Sequence, residues 1–338
     1  MRSSLFAIVF VVIVVLAAHV RAEPAGPWQN ADPASSGWSA EGLKAARTEF
    51  ERLGPTALMI VRDGRAIANW GDTGRKVNMR SVRKSILSTL YGVAVAEGRI
   101  NLASTLAHLR IDDKAPGLTD AEKQATIRDL LMARSGIYHL AAYETAEMRE
   151  KRPERGSHAP GSFWFYNNWD FNALGTIYRQ ETGEDIFQSF DSRIAKPIGM
   201  QDFQHHDGSY VLEGASIHPA YPFSLSARDA ARFGLLILDR GRWQGRQLVP
   251  SAWIEEATRT YSRTDRSGRG YGYLWWTLSP EEWGAGAVIA SGFGGQIIAI
   301  IPSKRLVVVQ TVDLRQKSRG LRSSKFLALL RLIANAAP

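Results

Sequence analysis

The chain has 338 residues, with 42 Lys and Arg against 33 Asp and Glu, seven His and no Cys, for a net charge of +9. The absence of cysteine excludes disulfides, thiolate metal sites and a lipidated N-terminal cysteine, so stability must come from a hydrophobic core, which a chain of this length can build. Lys and Arg are scattered through Arg62 to Arg65, Arg75 to Lys84, Arg149 to Arg155, Arg228 to Arg246 and Arg315 to Arg322; without a single basic stripe, nucleic-acid binding is not expected, and a general preference for acidic partners is.

The first element is not part of a fold. Arg2 precedes an unbroken apolar run from Leu5 to Ala18, and Val20-Arg21-Ala22 offers small residues before Glu23. This is the pattern of a secretory signal peptide over residues 1–22, so export to the periplasm or beyond is expected. The rival is an uncleaved anchor, but the run is short for a span of about 20 residues and no second one follows, so no membrane span is expected after cleavage. Residues 23–38 form a polar N-terminal segment, and one domain is expected over 39–338.

Ser39 can cap a helix through about Leu53, which Gly54-Pro55 would stop. Ala57 to Arg62 and Arg65 to Trp70 flank Asp63-Gly64, a hairpin signal. From Ser81 to Glu97 the apolar residues Val82, Ile86, Leu87, Leu90 and Val93 follow helical spacing, with Gly98 as the stop, and a buried helix is expected. About 101–239 reads as mostly helical with loops, forming a second lobe. Ala287 to Ala290, then Gln296 to Gln310 with a Pro302-Ser303-Lys304 turn, supply strands, and Ser323 to Ala336 a final helix. Strands gathered from both chain ends imply one sheet completed by non-local pairing, hence an α+β fold.

Ser81 and Lys84 stand one helical turn apart at the start of the buried helix, where hydroxyl and amine can meet. The helix N-terminus disfavours a charged lysine and stabilises negative charge forming at the serine, and burial would favour the neutral amine that a serine nucleophile needs. The same spacing also arises by chance in a serine-rich chain. Downstream, Gly161-Ser162-Phe163-Trp164-Phe165-Tyr166-Asn167-Asn168 ends a Pro-Gly turn in a Tyr-x-Asn spacing, and Ala290-Ser291-Gly292-Phe293-Gly294-Gly295-Gln296 lies between two β-rich segments. Alone, Tyr166 and Asn168 also read as a core aromatic beside a turn asparagine, and the glycines as a bulge or tight turn.

Taken in order, these three blocks resemble the penicillin-recognising serine hydrolases: class C β-lactamases, DD-peptidases, and the related esterases and 6-aminohexanoate-dimer hydrolases. Thr126-Ile127-Arg128-Asp129-Leu130-Leu131 with Ser135-Gly136-Ile137, Tyr271 to Trp276, and Gly294-Gly295-Gln296 leading to Ile301-Pro302 extend the resemblance from about Ser39 onward. It implies a β-lactamase/transpeptidase-like fold, an antiparallel sheet flanked by helices with a mostly helical second lobe. It implies Ser81 as nucleophile, with Lys84 and Tyr166 sharing its proton as a coupled pair. Asn168 would accept from the lysine and donate to substrate. The family's Lys-Thr-Gly falls on Ala290-Ser291-Gly292, so its cation is missing, which argues against penicillin-like or D-Ala-D-Ala substrates. Backbone N–H groups of Ser81 and of a residue near Phe293 would form the oxyanion hole, with Ser291 and Gly292 alongside substrate.

Phe163, Trp164, Trp169, Tyr271, Trp275 and Trp276 could line an apolar cleft, or belong to the core; Arg149 to Arg155 could hold a substrate carboxylate in place of the missing lysine, or form a solvated face. No His-Glu-x-x-His spacing occurs and His205-His206 reads as surface, so no metal or cofactor is expected. The expected activity is that of a serine hydrolase acting on a small-molecule ester or unstrained amide through acyl-Ser81, with esterase first and acidic or cell-wall-derived compounds among the candidate substrates. DD-peptidase, amidase or weak β-lactamase action is the nearest rival, and a non-turnover penicillin-binding or sensory protein the rival of another class. Oligomeric state is not legible.

Overall fold

Local signals build the sheet's outer layer first. Ser39 Oγ accepts from Gly42 N (3.1 Å) to open α1 (Ala40–Leu53), and Gly54 closes it in the left-handed conformation. Asp63 and Gly64 both take positive φ, 49° and 76°, as a two-residue hairpin between β1 (Ala57–Arg62) and β2 (Arg65–Gly71) requires. The computed structural model describes residues 26–264, 268–317 and 319–338; the expected signal peptide lies outside them.

After β3 (Val77–Asn78) comes α2 (Val82–Ala96), the expected buried helix. The stretch that follows contains α3 (Leu106–Leu109), α4 (Ile127–Leu131), α5 (Ala146–Glu150), α6 (Asn168–Thr182), α7 (Ile186–Phe190), β4 (Ser224–Leu225) and α8 (Ala227–Leu238). Next are β5 (Arg242–Trp243), β6 (Arg246–Gln247), α9 (Ser251–Ala257), β7 (Ser262–Arg263), β8 (Gly270–Tyr271), β9 (Trp276–Thr277) and α10 (Pro280–Trp283). The chain ends with β10 (Val288–Gly292), β11 (Gln296–Ile301), β12 (Leu306–Thr311) and α11 (Ser323–Ala336).

Eight strands form one antiparallel sheet in the order β2-β1-β12-β11-β10-β9-β8-β7, so the N-terminal hairpin joins the C-terminal strands through the β1–β12 pair. Side chains of residues paired across strands share a face. Trp70, Leu58, Gln310 and Ile297 therefore lie on one face, where Phe50 of α1 meets Trp70 (ring centroids 5.6 Å apart). Ile298 and Val307 lie on the other, where Gly234 of α8 fits between them; a Cβ there would come within 2.6 Å of Val307 Cγ1. β11 and β12 are buried at every residue, as a strand covered on both faces must be.

The polar N-terminal segment is tied to this body. Trp28 Nε1 donates to Arg228 O (3.0 Å) under the Arg232 guanidinium, Ala31 N donates to Ala66 O (2.9 Å), and Trp38 is buried.

An ion-pair network fastens the far end of α2 to the helical region. Glu184 accepts from Arg193 (2.6 Å), Arg99 (2.5 Å) and Ser189 (2.7 Å), while Arg193 also reaches Glu97 (2.6 Å). The Arg193 bond above all, with Arg99 and Ser189, draws the Glu184 carboxyl down to about 2. A carboxyl whose pKa is lower folded than unfolded stabilises the fold above its unfolded value, and the gain is lost as pH falls towards the folded value. Stability is therefore expected to decline between about pH 4.5 and about pH 2. In Glu184→Gln, denaturant titrations across that range should show a flatter decline and a lower plateau near neutrality.

Candidate active site

The chain turns sharply just before α2. Arg80 takes a left-handed φ of 52°, and its N–H is held by Asn78 Oδ1 (2.9 Å). Val82 N donates back to Met79 O (3.1 Å), so the first turn of α2 closes tightly and presents Ser81 at the helix N-terminus. Ser81 does not cap the helix with its side chain. Its hydroxyl is instead 2.9 Å from Lys84 Nζ.

Lys84 is buried, and its Nζ has three oxygen partners: Ser81 Oγ (2.9 Å), Tyr166 OH (2.8 Å) and Asn168 Oδ1 (2.9 Å). The nitrogen also lies 4.4 Å from the Tyr166 ring centroid and 4.5 Å from that of Phe171, whose quadrupoles favour a cation. The four residues named from Ser-x-x-Lys and Tyr-x-Asn thus meet at one nitrogen.

Each partner is itself fixed. The Asn168 amide donates to Tyr143 O (2.6 Å) and Ala142 O (3.4 Å), so both its hydrogens face backbone carbonyls and its oxygen faces Lys84. Asn168 Oδ1 is therefore placed to orient the lysine. Asn172, one turn further along α6, donates to the same Ala142 O (3.1 Å) and accepts from buried Arg83 (2.8 Å). Sequence reasoning missed Phe171 and Asn172, although their i+3 and i+4 spacing from Asn168 places them on its face of α6. The Tyr166 ring stacks on Trp276 (5.3 Å, 27°) and meets Tyr271 edge-on (6.0 Å).

Behind the site, Asn167 caps α6 and bonds Ile137 O (2.5 Å) and Asp170 Oδ1 (2.9 Å), to which Ser135 Oγ also donates (2.6 Å). Burial pushes the Asp170 carboxyl well above the usual carboxylate range, against the pull of these bonds. This buried carboxyl thereby ties the Ser135-Gly136-Ile137 loop to the helix that carries Asn168.

The third wall is β10. Its pairing with β9 ends at Ile289 with Trp276, so Ala290 to Gly292 continue past β9 with that edge unpaired. Gly292 abuts the turn before α2: a Cβ there would lie 2.4 Å from Met79 O and 3.1 Å from Arg80 Cβ. Phe293, Gly294 and Gly295 then form the hairpin turn to β11, with positive φ at both glycines. Buried Gln296 secures that turn by bonding both the N–H and the carbonyl of Val312 (2.9 and 2.6 Å). Among the described residues, neither the Ser81 nor the Phe293 backbone N–H has a hydrogen-bond partner.

The family model described as beta-lactamase matches residues 46–328. The chain belongs to the beta-lactamase family. Its fold is shared with a Bacillus anthracis protein assigned as a 6-aminohexanoate-dimer hydrolase (TM-score 0.68, 19% identity, 91% of this chain and 87% of that one). A beta-lactamase/D-alanine carboxypeptidase from Pseudomonas syringae is also similar (TM-score 0.63, 17% identity, 88% and 100% covered). So is an octameric penicillin-binding protein homologue from Pyrococcus abyssi (TM-score 0.65, 18% identity, 87% and 77%). In sequence, the chain is 26% identical over 166 residues to a D-aminopeptidase of Brucella anthropi, a match to 43% of this chain and 31% of that relative's length.

Two alternatives left open in the sequence of this beta-lactamase-family chain are decided by the structure. Trp169, Tyr271, Trp275 and Trp276 are core residues, and of the six aromatics only Phe163 and Trp164 line an open cavity. The basic run 149–155 is spent on the protein's own carboxylates: Arg155 on Glu122 (2.7 Å), Arg152 and Arg149 on Glu144, Lys151 on Glu147 (2.9 Å). His205 and His206 are exposed, and no group of metal-ligating side chains is present among the described residues.

Gly292 offers a direct probe of the β10 contact. In Gly292→Ala the new methyl would meet a backbone carbonyl, so strand or turn must shift, at a cost of about 1–3 kcal/mol. Hydrolytic activity should fall by about 10²-fold even in the protein that remains folded, because the shift moves the Phe293 and Ser81 amides. Chemical denaturation and kcat/KM on one preparation separate the two effects.

Proposed function

We propose that this protein is an exported serine hydrolase that cleaves a small-molecule ester or unstrained amide through an acyl-Ser81 intermediate. The observation that carries this reading is the convergence of Ser81 Oγ, Tyr166 OH and Asn168 Oδ1 on Lys84 Nζ at 2.8–2.9 Å. Ser81 Oγ attacks the carbonyl carbon as its proton passes to the Lys84–Tyr166 pair. The tetrahedral oxyanion is received by the Ser81 and Phe293 N–H groups, with Ser291 and Gly292 lying along substrate. The leaving group departs with the proton returned by the pair, and water then repeats the sequence on the acyl-enzyme. Lys84 and Tyr166 share one hydrogen bond, so the proton belongs to both.

Ester cleavage is favoured over amide cleavage because a departing alkoxide or phenoxide demands less of the acid than an amine. Ala290, where relatives carry a cation, removes one anchor for penicillin-like substrates. Amidase or peptidase action is the second reading, supported by the D-aminopeptidase relative. Residues 1–22 as a signal peptide and 39–338 as one domain, with 101–239 as its helical lobe, complete the proposal. Among the described residues no helix is long and apolar enough to cross a membrane.

The test is intact-mass spectrometry after exposure to a fluorophosphonate, short p-nitrophenyl esters and a penicillin, with product release followed in parallel. An adduct on Ser81 with ester turnover supports the hydrolase. A penicillin adduct that persists without turnover replaces it with a non-turnover binding protein, and no adduct with any reagent removes both.

A further inference from the structure

A cavity of about 560 Å³ opens beside the site and shares Tyr166 with it as wall. Two arginines line it, Arg134 and Arg263. Most basic side chains nearby are matched to a carboxylate, as the 149–155 run and the Arg128–Glu256 pair (2.7 Å) show. Arg134 and Arg263 are different: neither meets a carboxylate within hydrogen-bond or ion-pair distance among the described residues. Glu147 also borders the cavity, but Lys151 neutralises it at 2.9 Å. Among the described residues, the lining therefore carries two arginines without a directly bonded carboxylate.

The fold fixes the backbone that carries these arginines. Ala133 takes a left-handed φ of 56°, and the backbone of 133–134 is bonded to the Tyr166 loop through Phe165 N to Ala133 O (3.0 Å) and Gly161 N to Arg134 O (2.7 Å). Arg263 stands on edge strand β7, paired with Gly270. Trp164 lies in the same lining, packed on Tyr271 and Trp276. Two further donors here lack an acceptor: Arg134 Nε and Trp164 Nε1 are both buried and unbonded. An apolar wall carrying two guanidinium groups is the composition of an anion subsite.

We infer that Arg134 and Arg263 form a carboxylate-binding subsite for the leaving group, so that the preferred substrates release an alcohol, phenol or amine bearing a carboxylate. The inference rests on the hydrolase reading above. Tyr166 places the charge on the leaving-group side, because the pair that returns the proton to the leaving atom includes the residue that walls the cavity. This supplies a cationic anchor away from the Ala290 position.

The test compares kcat/KM for 4-acetoxybenzoate and its methyl ester, which release the same phenol with and without charge. Wild-type protein should favour the acid, and the acid/ester ratio should fall about tenfold in Arg134→Gln and in Arg263→Gln, and further in the double variant. The preference should also shrink as salt rises from about 0.02 to about 0.5 M, because the cavity is open and its charges are screened. The exposed control Arg246→Gln should keep the wild-type ratio. No preference in the wild type, or one that survives both substitutions, overturns the subsite. A second arm measures binding of 4-hydroxybenzoate to Ser81→Ala by calorimetry, with and without the two arginine substitutions. If no ester is turned over but binding is seen and needs the arginines, the hydrolase reading fails and the subsite stands; binding indifferent to them overturns the subsite alone.

Discussion

Ser81→Ala should abolish ester turnover, lowering kcat/KM by about 10⁴-fold or more, while the fold keeps its stability to within about 1 kcal/mol. The asymmetry follows from what the hydroxyl does in the resting protein. Ser81 makes no capping bond to α2, and its oxygen meets Lys84 Nζ. Removing it leaves Lys84 with Tyr166 and Asn168, so the buried amine keeps two hydrogen-bond partners. Chemistry loses the atom that forms the acyl bond, and residual rate can come only from the oxyanion donors and from bound water. Product release from p-nitrophenyl butyrate beside a denaturant midpoint measures both quantities. Turnover at the wild-type rate in this variant would place the nucleophile elsewhere.

How much of this was legible in sequence depends on how local each signal is. Ser39, Gly54, Asp63-Gly64 and the Pro302 turn act within a few residues, and the elements they bound appear at the expected positions. The helical region is different, because α3, α4, α5 and α7 are four or five residues long, too short for a hydrophobic period to be read. Their starts are set instead by side-chain caps such as Thr126 with Asp129, a capping box that stands in the sequence as Thr-x-x-Asp. The site was legible where spacing and chemistry coincide, at Ser81, Lys84, Tyr166 and Asn168. What the amide of Asn168 does was not, because its partners are backbone carbonyls of Ala142 and Tyr143, some 25 residues away and without side-chain signature. The same holds for Arg152 and Arg155, whose carboxylates come from Glu144 and from Glu122 on the far side of the Ser135 loop. An arginine run looks alike in sequence whether its charge is available or spent. Trp164 and Trp276 could likewise not be sorted into cavity and core before the pairing of β8 with β9 and β9 with β10 was known.

Lys84→Ala carries the second large effect, a fall in acylation rate of about 10³-fold with substrate affinity largely retained. A structural lysine and a catalytic one predict different losses at this position. Lys84 donates to three oxygens in a buried setting, so its removal strands Asn168 Oδ1 and leaves the Tyr166 hydroxyl to find a new partner. An unsatisfied buried acceptor costs about 1–3 kcal/mol, which lowers the denaturation midpoint but cannot produce a thousandfold rate loss in protein that remains folded. The rate loss must come from the missing proton acceptor, and Tyr166 cannot supply it alone, since a phenol's ordinary pKa of about 10 leaves it protonated near neutrality. Burst-phase acylation with p-nitrophenyl acetate, read beside the unfolding midpoint, separates the two contributions. Added methylamine supplies a further discriminating reading: partial recovery of the acylation rate, rising with the fraction of free amine as pH increases, follows if Lys84 moves the proton. A lysine that only braces Tyr166 and Asn168 would lose stability and show no such recovery.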